Sequence, residues 1–138
     1  MKIVLDTNIL IVILSRKAKF YPIFKSFLEG NYTLCISNEI LSEYREIIAR
    51  NMGAIFVEYF MEIIDNADNI EWVTTYYRWN LITSDCDDNK FVDCAIACNA
   101  KYIVSEDNHF NILKQIPFPK IDVVGIQEFT TLLEEYIK

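Results

Sequence analysis

Glycine and proline are scarce in this sequence, with three residues of each among 138. This scarcity argues against a loop-rich or low-complexity protein. No glycine-rich turn follows a predicted strand, so the sequence lacks the phosphate-binding loop of a dinucleotide-binding domain. The longest uninterrupted apolar run, at 9–14, is far too short to span a bilayer.

No two cysteines are spaced as a CxxC pair. The four cysteines lie at positions 35, 86, 94 and 98, and we interpret them as reduced, buried residues of a cytosolic protein. A zinc site formed by Cys94, Cys98 and His109 is an alternative, although its spacing follows no usual zinc-ligand pattern.

Positive charge is in short supply: 13 lysines and arginines face 20 aspartates and glutamates, which gives a net charge of −7. Surfaces that bind nucleic-acid phosphates are normally basic, so this balance better suits a protein that binds cations.

A signal peptide is not predicted, because Asp6 and Asn8 interrupt the apolar N-terminal segment and no small-residue cleavage site follows. We therefore expect a cytoplasmic protein with no membrane partner.

Apolar residues are plentiful, at 52% of the chain, which predicts one domain over residues 1–138 with a sizeable core. Short apolar runs predict strands at 2–5, 32–37, 70–75, 101–105 and 121–125. Amphipathic or short apolar segments predict helices at 8–14, 21–29, 39–51, 54–65, 90–100, 108–115 and 126–137. Strands that alternate with helices predict an α/β fold with a parallel sheet covered on both faces.

Four acidic residues lie close to the predicted carboxyl edge of this sheet: Asp6 after the first strand, Glu43 in helix 39–51, Asp93 near the start of helix 90–100, and Asp107 after the fourth strand. Ligands of open α/β sheets bind at this edge. Two carboxylates ~5 Å apart repel by roughly 3 kcal/mol at an effective dielectric near 20, so a converged group needs protons or cations. Oxygen ligands of this kind suit Mg²⁺ or Mn²⁺, and Thr7 and Asn8 would then steady Asp6 by hydrogen bonds.

Each acid also has an ordinary structural interpretation. Asp6 and Asp107 are suited to cap the helices that follow them. Asp93 would be favoured by the dipole of its helix, and Glu43 is unremarkable on a helix rich in charge. The order and spacing of all four residues, rather than any one of them, therefore carry the prediction.

Four segments together resemble the PIN-domain ribonucleases, and in particular the VapC-like toxin components of toxin–antitoxin systems. They are IVLDTNIL (3–10), ISNEILSEY (36–44), DDNKFVDCAIA (87–97) and YIVSEDNHF (102–110). The resemblance runs from residue 2 to about residue 126. It implies a three-layer α/β/α sandwich around a short, mostly parallel sheet of about five strands.

The resemblance also implies Mg²⁺- or Mn²⁺-dependent hydrolysis of single-stranded RNA. A water activated by the ions would attack the phosphorus in line and leave a 5′-phosphate and a 3′-hydroxyl. The residues in the catalytic and metal-binding positions would be Asp6, Glu43, Asp93 and Asp107. Asn8 would support them, and Ser105 stands where the family often has threonine. A cognate antitoxin and a homodimer are the partners that the family suggests.

Other residues near these positions have more than one interpretation or no assigned role. Asp88 is a second candidate near the third acid, as a ligand through water or only as a helix cap. Asn108 and His109 depart from the residues often found after the fourth aspartate, and Glu106 has no assigned role.

Basic and aromatic residues near these segments predict an RNA-binding surface. Candidate phosphate contacts are Arg16, Lys17, Lys19 and Lys90, and candidates for base stacking are Tyr76, Tyr77 and Trp79. Solvated loops and core packing are the ordinary explanations for these residues.

Two other functions compete with nuclease activity. A non-catalytic RNA- or protein-binding module with the same fold is the main alternative. A receiver-type phosphoacceptor domain is disfavoured, because Thr7 rather than a second acid follows Asp6, and Gly125 rather than a lysine follows the fifth strand.

Overall fold

The computed structural model describes all 138 residues, and each of its five strands lies within one of the predicted apolar runs. The strands are β1 (Lys2–Leu5), β2 (Thr33–Ser37), β3 (Ile70–Val73), β4 (Tyr102–Val104) and β5 (Val123–Val124). They form one parallel sheet in the order β3-β2-β1-β4-β5. The predicted parallel α/β sheet is therefore confirmed.

The helices also follow the predicted pattern. They are α1 (Thr7–Leu14), α2 (Tyr21–Leu28), α3 (Asn38–Met52), α4 (Ala54–Asn66), α5 (Asn89–Cys98) and α6 (Ile126–Ile137). Two 3₁₀ segments, Cys86–Asp88 and Asn108–Gln115, complete the set. The short helix predicted at 108–115 is confirmed, and it is a 3₁₀ helix: Phe110 N–H bonds to the carbonyl of Asp107, three residues back, which suits a short connector.

Helices cover both faces of the sheet. Consecutive residues of a strand point to opposite faces, and Ile3, Val4 and Leu5 of β1 are all buried. Aromatic pairs extend the core outward: Tyr44 of α3 packs edge-to-face on Phe60 of α4, and Tyr32 packs on Phe129 of α6. The result is the three-layer α/β/α arrangement. None of the helices combines the length and hydropathy that crossing a bilayer requires.

The strand order reverses at β1, which has β2 and β3 on one side and β4 and β5 on the other. In such sheets the carboxyl ends of the two strands at the reversal border a crevice. The backbone N–H of Asp6 donates to the carbonyl of Val104 at 3.1 Å, which ties these two strand ends together. The fold therefore places Asp6 beside the loop that begins at Ser105.

Candidate active site

Ser105 links the two strand ends at the crevice. Its buried hydroxyl donates to Asp6 Oδ2 at 2.7 Å and accepts the backbone N–H of Asp107 at 3.0 Å. Asp107 in turn accepts the backbone N–H of His109 on Oδ1 at 2.9 Å, which caps the 3₁₀ segment. One side chain thus fixes the carboxylate of Asp6 and the backbone that presents Asp107.

Glu43 reaches the same crevice from α3. The hydroxyl of Thr7 donates to Glu43 Oε2, and the ammonium of Lys90 lies 2.7 Å from Oε1. The next residue, Tyr44, donates its hydroxyl hydrogen to the carbonyl of Leu5 at 2.5 Å. This bond anchors α3 to the end of β1 and so sets the distance between Glu43 and Asp6.

Asp88 joins Asp107 through a histidine. Nδ1 of His109 lies 3.1 Å from Asp107 Oδ1 and 3.2 Å from Asp88 Oδ2, while Asp85 is 3.7 Å away. Ligand atoms of Asp85, Asp88 and His109 all lie within 4.8 Å of one another, a spacing that one metal ion can bridge. Partial desolvation opposes the protonation of His109, but the carboxylates of Asp88, Asp107 and Asp85 raise its pKa.

Burial and mutual repulsion raise the pKa of two carboxyl groups in the crevice. Burial raises the pKa of Asp6, the negative charges of Asp107 and Glu43 add to the effect, and the Ser105 hydrogen bond opposes it. Burial raises the pKa of Asp88 to about 6, with further contributions from Asp107 and Asp85. Crowded carboxylates with raised pKa values are a local excess of negative charge that a divalent cation relieves.

We call the group of Asp6, Glu43, Asp88 and Asp107 the acidic pocket. Its donors are carboxylate oxygens, which are the ligands that Mg²⁺ and Mn²⁺ prefer, with one imidazole nitrogen at the edge. The residues present therefore fit a hard divalent cation.

Asp93 lies outside this pocket. Its Oδ1 accepts the backbone N–H of Trp79 at 3.1 Å, and it lines a cavity of about 370 Å³ together with Glu39 and Arg78. Burial raises the pKa of Asp93, and among the charged groups it is Glu39 and Arg78, rather than Asp6 or Asp107, that act on it. The structure therefore brings Asp88, and not Asp93, beside Asp107.

Helix geometry explains this difference. Asp88 precedes the first residue of α5, whereas Asp93 lies five residues further along. Five residues correspond to about 140° of rotation around the helix axis, so the two side chains leave α5 in different directions. The sequence places both residues near the start of a helix, but the direction depends on the rotation of α5 against the sheet.

The other predicted site residues divide into several groups. Thr7 contacts Glu43 through its side chain and Asp6 through its backbone N–H. Asn8 is exposed and its side chain makes no hydrogen bond. Glu106 accepts the backbone N–H of Ile126 and so fixes the start of α6. Sequence reasoning named His109 as a departure from the family and as a ligand of an alternative zinc site, but it missed the contacts of His109 with Asp88 and Asp107.

The basic side chains that were predicted to contact phosphates differ in their exposure and in their partners. The side chain of Lys90 is 10% exposed and pairs with Glu43 and Asp87, so it is not free to meet a phosphate. Arg16, Lys17 and Lys19 are exposed on the loop after α1, roughly 12 Å of helix from Asp6. The tyrosines at 76 and 77 are exposed, whereas Trp79 is half-buried and packs edge-to-face on Tyr77.

The sequence matches the model of one protein family. The sequence model described as "PIN domain" matches residues 2–109. No curated protein sequence matches the chain.

Two solved structures share the fold. One is a chain in the crystal structure of VapBC2 from Rickettsia felis bound to a DNA fragment from their promoter, with a TM-score of 0.62 and 21% identity over 91% of this chain and 98% of that one. The other is the PIN domain of human SMG5, with a TM-score of 0.51 and 13% identity over 96% of this chain and 99% of that one.

Proposed function

The chain belongs to the PIN domain family, and we propose that it is a Mg²⁺- or Mn²⁺-dependent endoribonuclease that hydrolyses single-stranded RNA. The observation that carries this proposal is the convergence of Asp6, Glu43, Asp88 and Asp107 at the carboxyl ends of β1 and β4. When bound, a divalent cation would supply a Lewis acid and a lowered pKa for a coordinated water.

We assign the metal-binding role to Asp6, Asp88 and Asp107, with Glu43 completing the set. Asp88 takes the third position in place of Asp93, because it shares the His109 contact with Asp107. Ser105 holds Asp6 in one orientation, and Thr7 with Lys90 holds Glu43. None of these side chains needs to act as a nucleophile.

Exposed aromatic and basic side chains support the binding of RNA. Tyr76 and Tyr77 are 93% and 65% exposed, and both offer aromatic faces on which bases can stack. Arg16, Lys17 and Lys19 supply positive charge on a chain whose net charge is −7. A bound divalent cation would further reduce the repulsion between the acidic pocket and phosphates.

We further propose that the nuclease is the toxin of a toxin–antitoxin pair in the cytoplasm, with a cognate antitoxin and a second copy of the chain as partners. The support is the similar fold of a chain in the VapBC2 complex from Rickettsia felis. Induced expression of the wild type should then arrest growth, whereas expression of Asp6→Asn should not. Light scattering of the purified protein measures the number of copies.

The nuclease proposal is tested by incubation of purified protein with single-stranded RNA and Mg²⁺ or Mn²⁺. Cleavage should need the cation, stop with a chelator and fall to background in Asp6→Asn. The matched control is Asp65→Asn, because Asp65 is exposed on α4 and should leave the rate unchanged. RNA that is bound but never cut by the wild type would instead favour the non-catalytic module. Cleavage that persists in Asp6→Asn would identify a contaminating nuclease.

A further inference from the structure

A second group of metal-ligating side chains lies at the far end of α5 from the acidic pocket. Cys35 on β2, Glu71 on β3 and Cys98 at the last residue of α5 have ligand atoms that all lie within 4.8 Å of one another. Cys35 Sγ is 3.8 Å from Glu71 Oε2. Because these residues come from three elements, the fold rather than local spacing brings them together.

A third thiol lies beside this group along α5. Cys94 lies one helical turn before Cys98 on the same face of the helix. Cys35 and Cys94 are fully buried, and Cys98 is nearly so. Two sulfur atoms and one carboxylate therefore converge, with the third thiol in the adjoining turn of α5.

Lys2 gives this group a compensating positive charge. Its ammonium lies 2.9 Å from Glu71 Oε1 and 3.4 Å from the carbonyl of Cys98. Glu71 thus binds Lys2 with one oxygen and turns the other towards Cys35.

The group is reachable from solvent on one side. A surface cavity of about 330 Å³ has Lys2, Glu71, Trp72 and Cys98 among its lining residues. The carboxylate of Glu71 is partly exposed at its edge. Glu71 and Cys98 therefore border a cavity that is open to solvent.

We propose that Cys35, Glu71 and Cys98 form a binding site for one thiophilic divalent cation of the Zn²⁺ class. A tetrahedral zinc with Zn–S bonds of ~2.3 Å and a Zn–O bond of ~2.0 Å separates its ligands by about 3.5–3.8 Å. The sulfur–oxygen distance of 3.8 Å between Cys35 and Glu71 is close to the ~3.5 Å that such an ion requires. Thiols that bind the ion release their protons to solvent.

This site differs in place and in chemistry from the acidic pocket. The ten residues of α5 separate Asp88 from Cys98 by roughly 15 Å. The alternative zinc site of Cys94, Cys98 and His109 does not form, since His109 lies with Asp88 at the opposite end of the helix. The expectation that all four cysteines are buried was wrong, because Cys86 is exposed.

The experiment is a Co²⁺ titration of the reduced, metal-free full chain, followed by displacement with Zn²⁺. Thiolate ligands give Co²⁺ a charge-transfer absorption that oxygen ligands do not, so the acidic pocket does not contribute to the signal. We expect one equivalent of Co²⁺ to produce this absorption and Zn²⁺ to remove it. Cys98→Ser and Cys35→Ser should each weaken Co²⁺ binding by more than about 100-fold, because the loss of outer-shell partners alone costs 10–100-fold.

Two further variants keep the test decisive if a core cysteine variant fails to fold. Glu71→Gln changes a partly exposed residue and should weaken Co²⁺ binding at least about ten-fold. Cys86→Ser removes the exposed thiol and should bind Co²⁺ as the wild type does. The proposal is overturned if the wild type shows no thiolate absorption at one equivalent, or if Glu71→Gln binds Co²⁺ with unchanged affinity.

Discussion

The Ser105 hydroxyl donates a hydrogen bond of 2.7 Å to Asp6 Oδ2 across 99 residues of sequence. The same hydroxyl accepts the backbone N–H of Asp107. The orientations of the Asp6 and Asp107 carboxylates therefore both depend on the Ser105 side chain. Removal of its hydroxyl should make both carboxylates more mobile.

Ser105→Ala should lower RNA cleavage by about ten-fold, because a hydrogen bond to a charged group contributes roughly 1.5–3 kcal/mol. Loss of this bond also removes an influence that lowers the pKa of Asp6, so the acid limb of the pH–rate profile should move to higher pH. Rates of cleavage measured across pH check both effects.

Ser105→Thr is the matched control, since it keeps the hydroxyl. It should restore most of the rate and the wild-type pH profile. An alanine variant with an unchanged profile would show that the hydroxyl does not act on Asp6 in solution.

Asp88→Asn should stabilise the metal-free protein at neutral pH. Burial raises the pKa of Asp88 to about 6 in the folded chain, above the ordinary aspartate value of 3.8, so the folded state binds more protons between these pH values. Preferential protonation of Asp88 in the folded state stabilises the fold. This contribution to the free energy of unfolding is fully present below pH 4 and is lost as the pH rises through 6. At pH 7.5 the variant should gain on the order of 1 kcal/mol, or a few degrees in unfolding midpoint.

Thermal unfolding at pH 4 and pH 7.5 in the presence of a chelator measures this difference. The gain should vanish at pH 4, where the wild-type carboxyl is already neutral. Added Mn²⁺ should stabilise the wild type by mass action, and Asp88→Asn much less. A variant that is less stable than the wild type at pH 7.5 without metal would contradict the repulsion in the acidic pocket.

Lys90→Met should act on folding and turnover rather than on RNA affinity. The ammonium lies 2.7 Å from Glu43 and 2.9 Å from Asp87 with little exposure, so its loss leaves Glu43 without its positive partner. We expect unfolding to become about 1–3 kcal/mol easier and kcat to fall. Denaturant unfolding and steady-state kinetics provide the two readouts.

Lys19→Met offers the contrast, because Lys19 is exposed on the loop after α1. If that loop meets RNA, this variant should weaken RNA binding and reduce its salt dependence while stability stays unchanged. The structural assignment of Lys90 would be wrong if Lys90→Met showed this second pattern.

The sequence predicted best the parts of the site that depend on strand ends. Apolar runs locate β1 and β4, and a parallel sheet places their carboxyl ends at one edge, so Asp6 and Asp107 could be assigned to that edge from the pattern alone. Thr7 could be expected near the acids, but not its bond to Glu43, because that contact depends on how α3 packs against α1.

Side-chain directions and long-range partners could not be obtained in this way. Lys90 is a positively charged residue beside the predicted acids, so the sequence suggests a phosphate contact. Only the packing of α3 beside α5 shows that Glu43 already binds its ammonium. Cys35, Glu71 and Cys98 are scattered in sequence and share no spacing motif. Their proximity follows from the order of the strands and the crossing of α5 over them.

Asp88, rather than Asp93, should be the third acid that cleavage requires. Asp88→Asn should lower RNA cleavage by at least about 100-fold, since it removes a carboxylate from the acidic pocket and leaves fewer ligands for the cation. Asp93→Asn should keep the rate within a few-fold, because Asp93 bonds to Trp79 N–H and lies with Glu39 and Arg78. Cleavage rates at several Mn²⁺ concentrations distinguish the two, because only Asp88→Asn should raise the concentration needed for half-maximal rate. If Asp93→Asn instead shifts the Mn²⁺ requirement and Asp88→Asn does not, the rotation of α5 described above does not persist in the metal-bound enzyme.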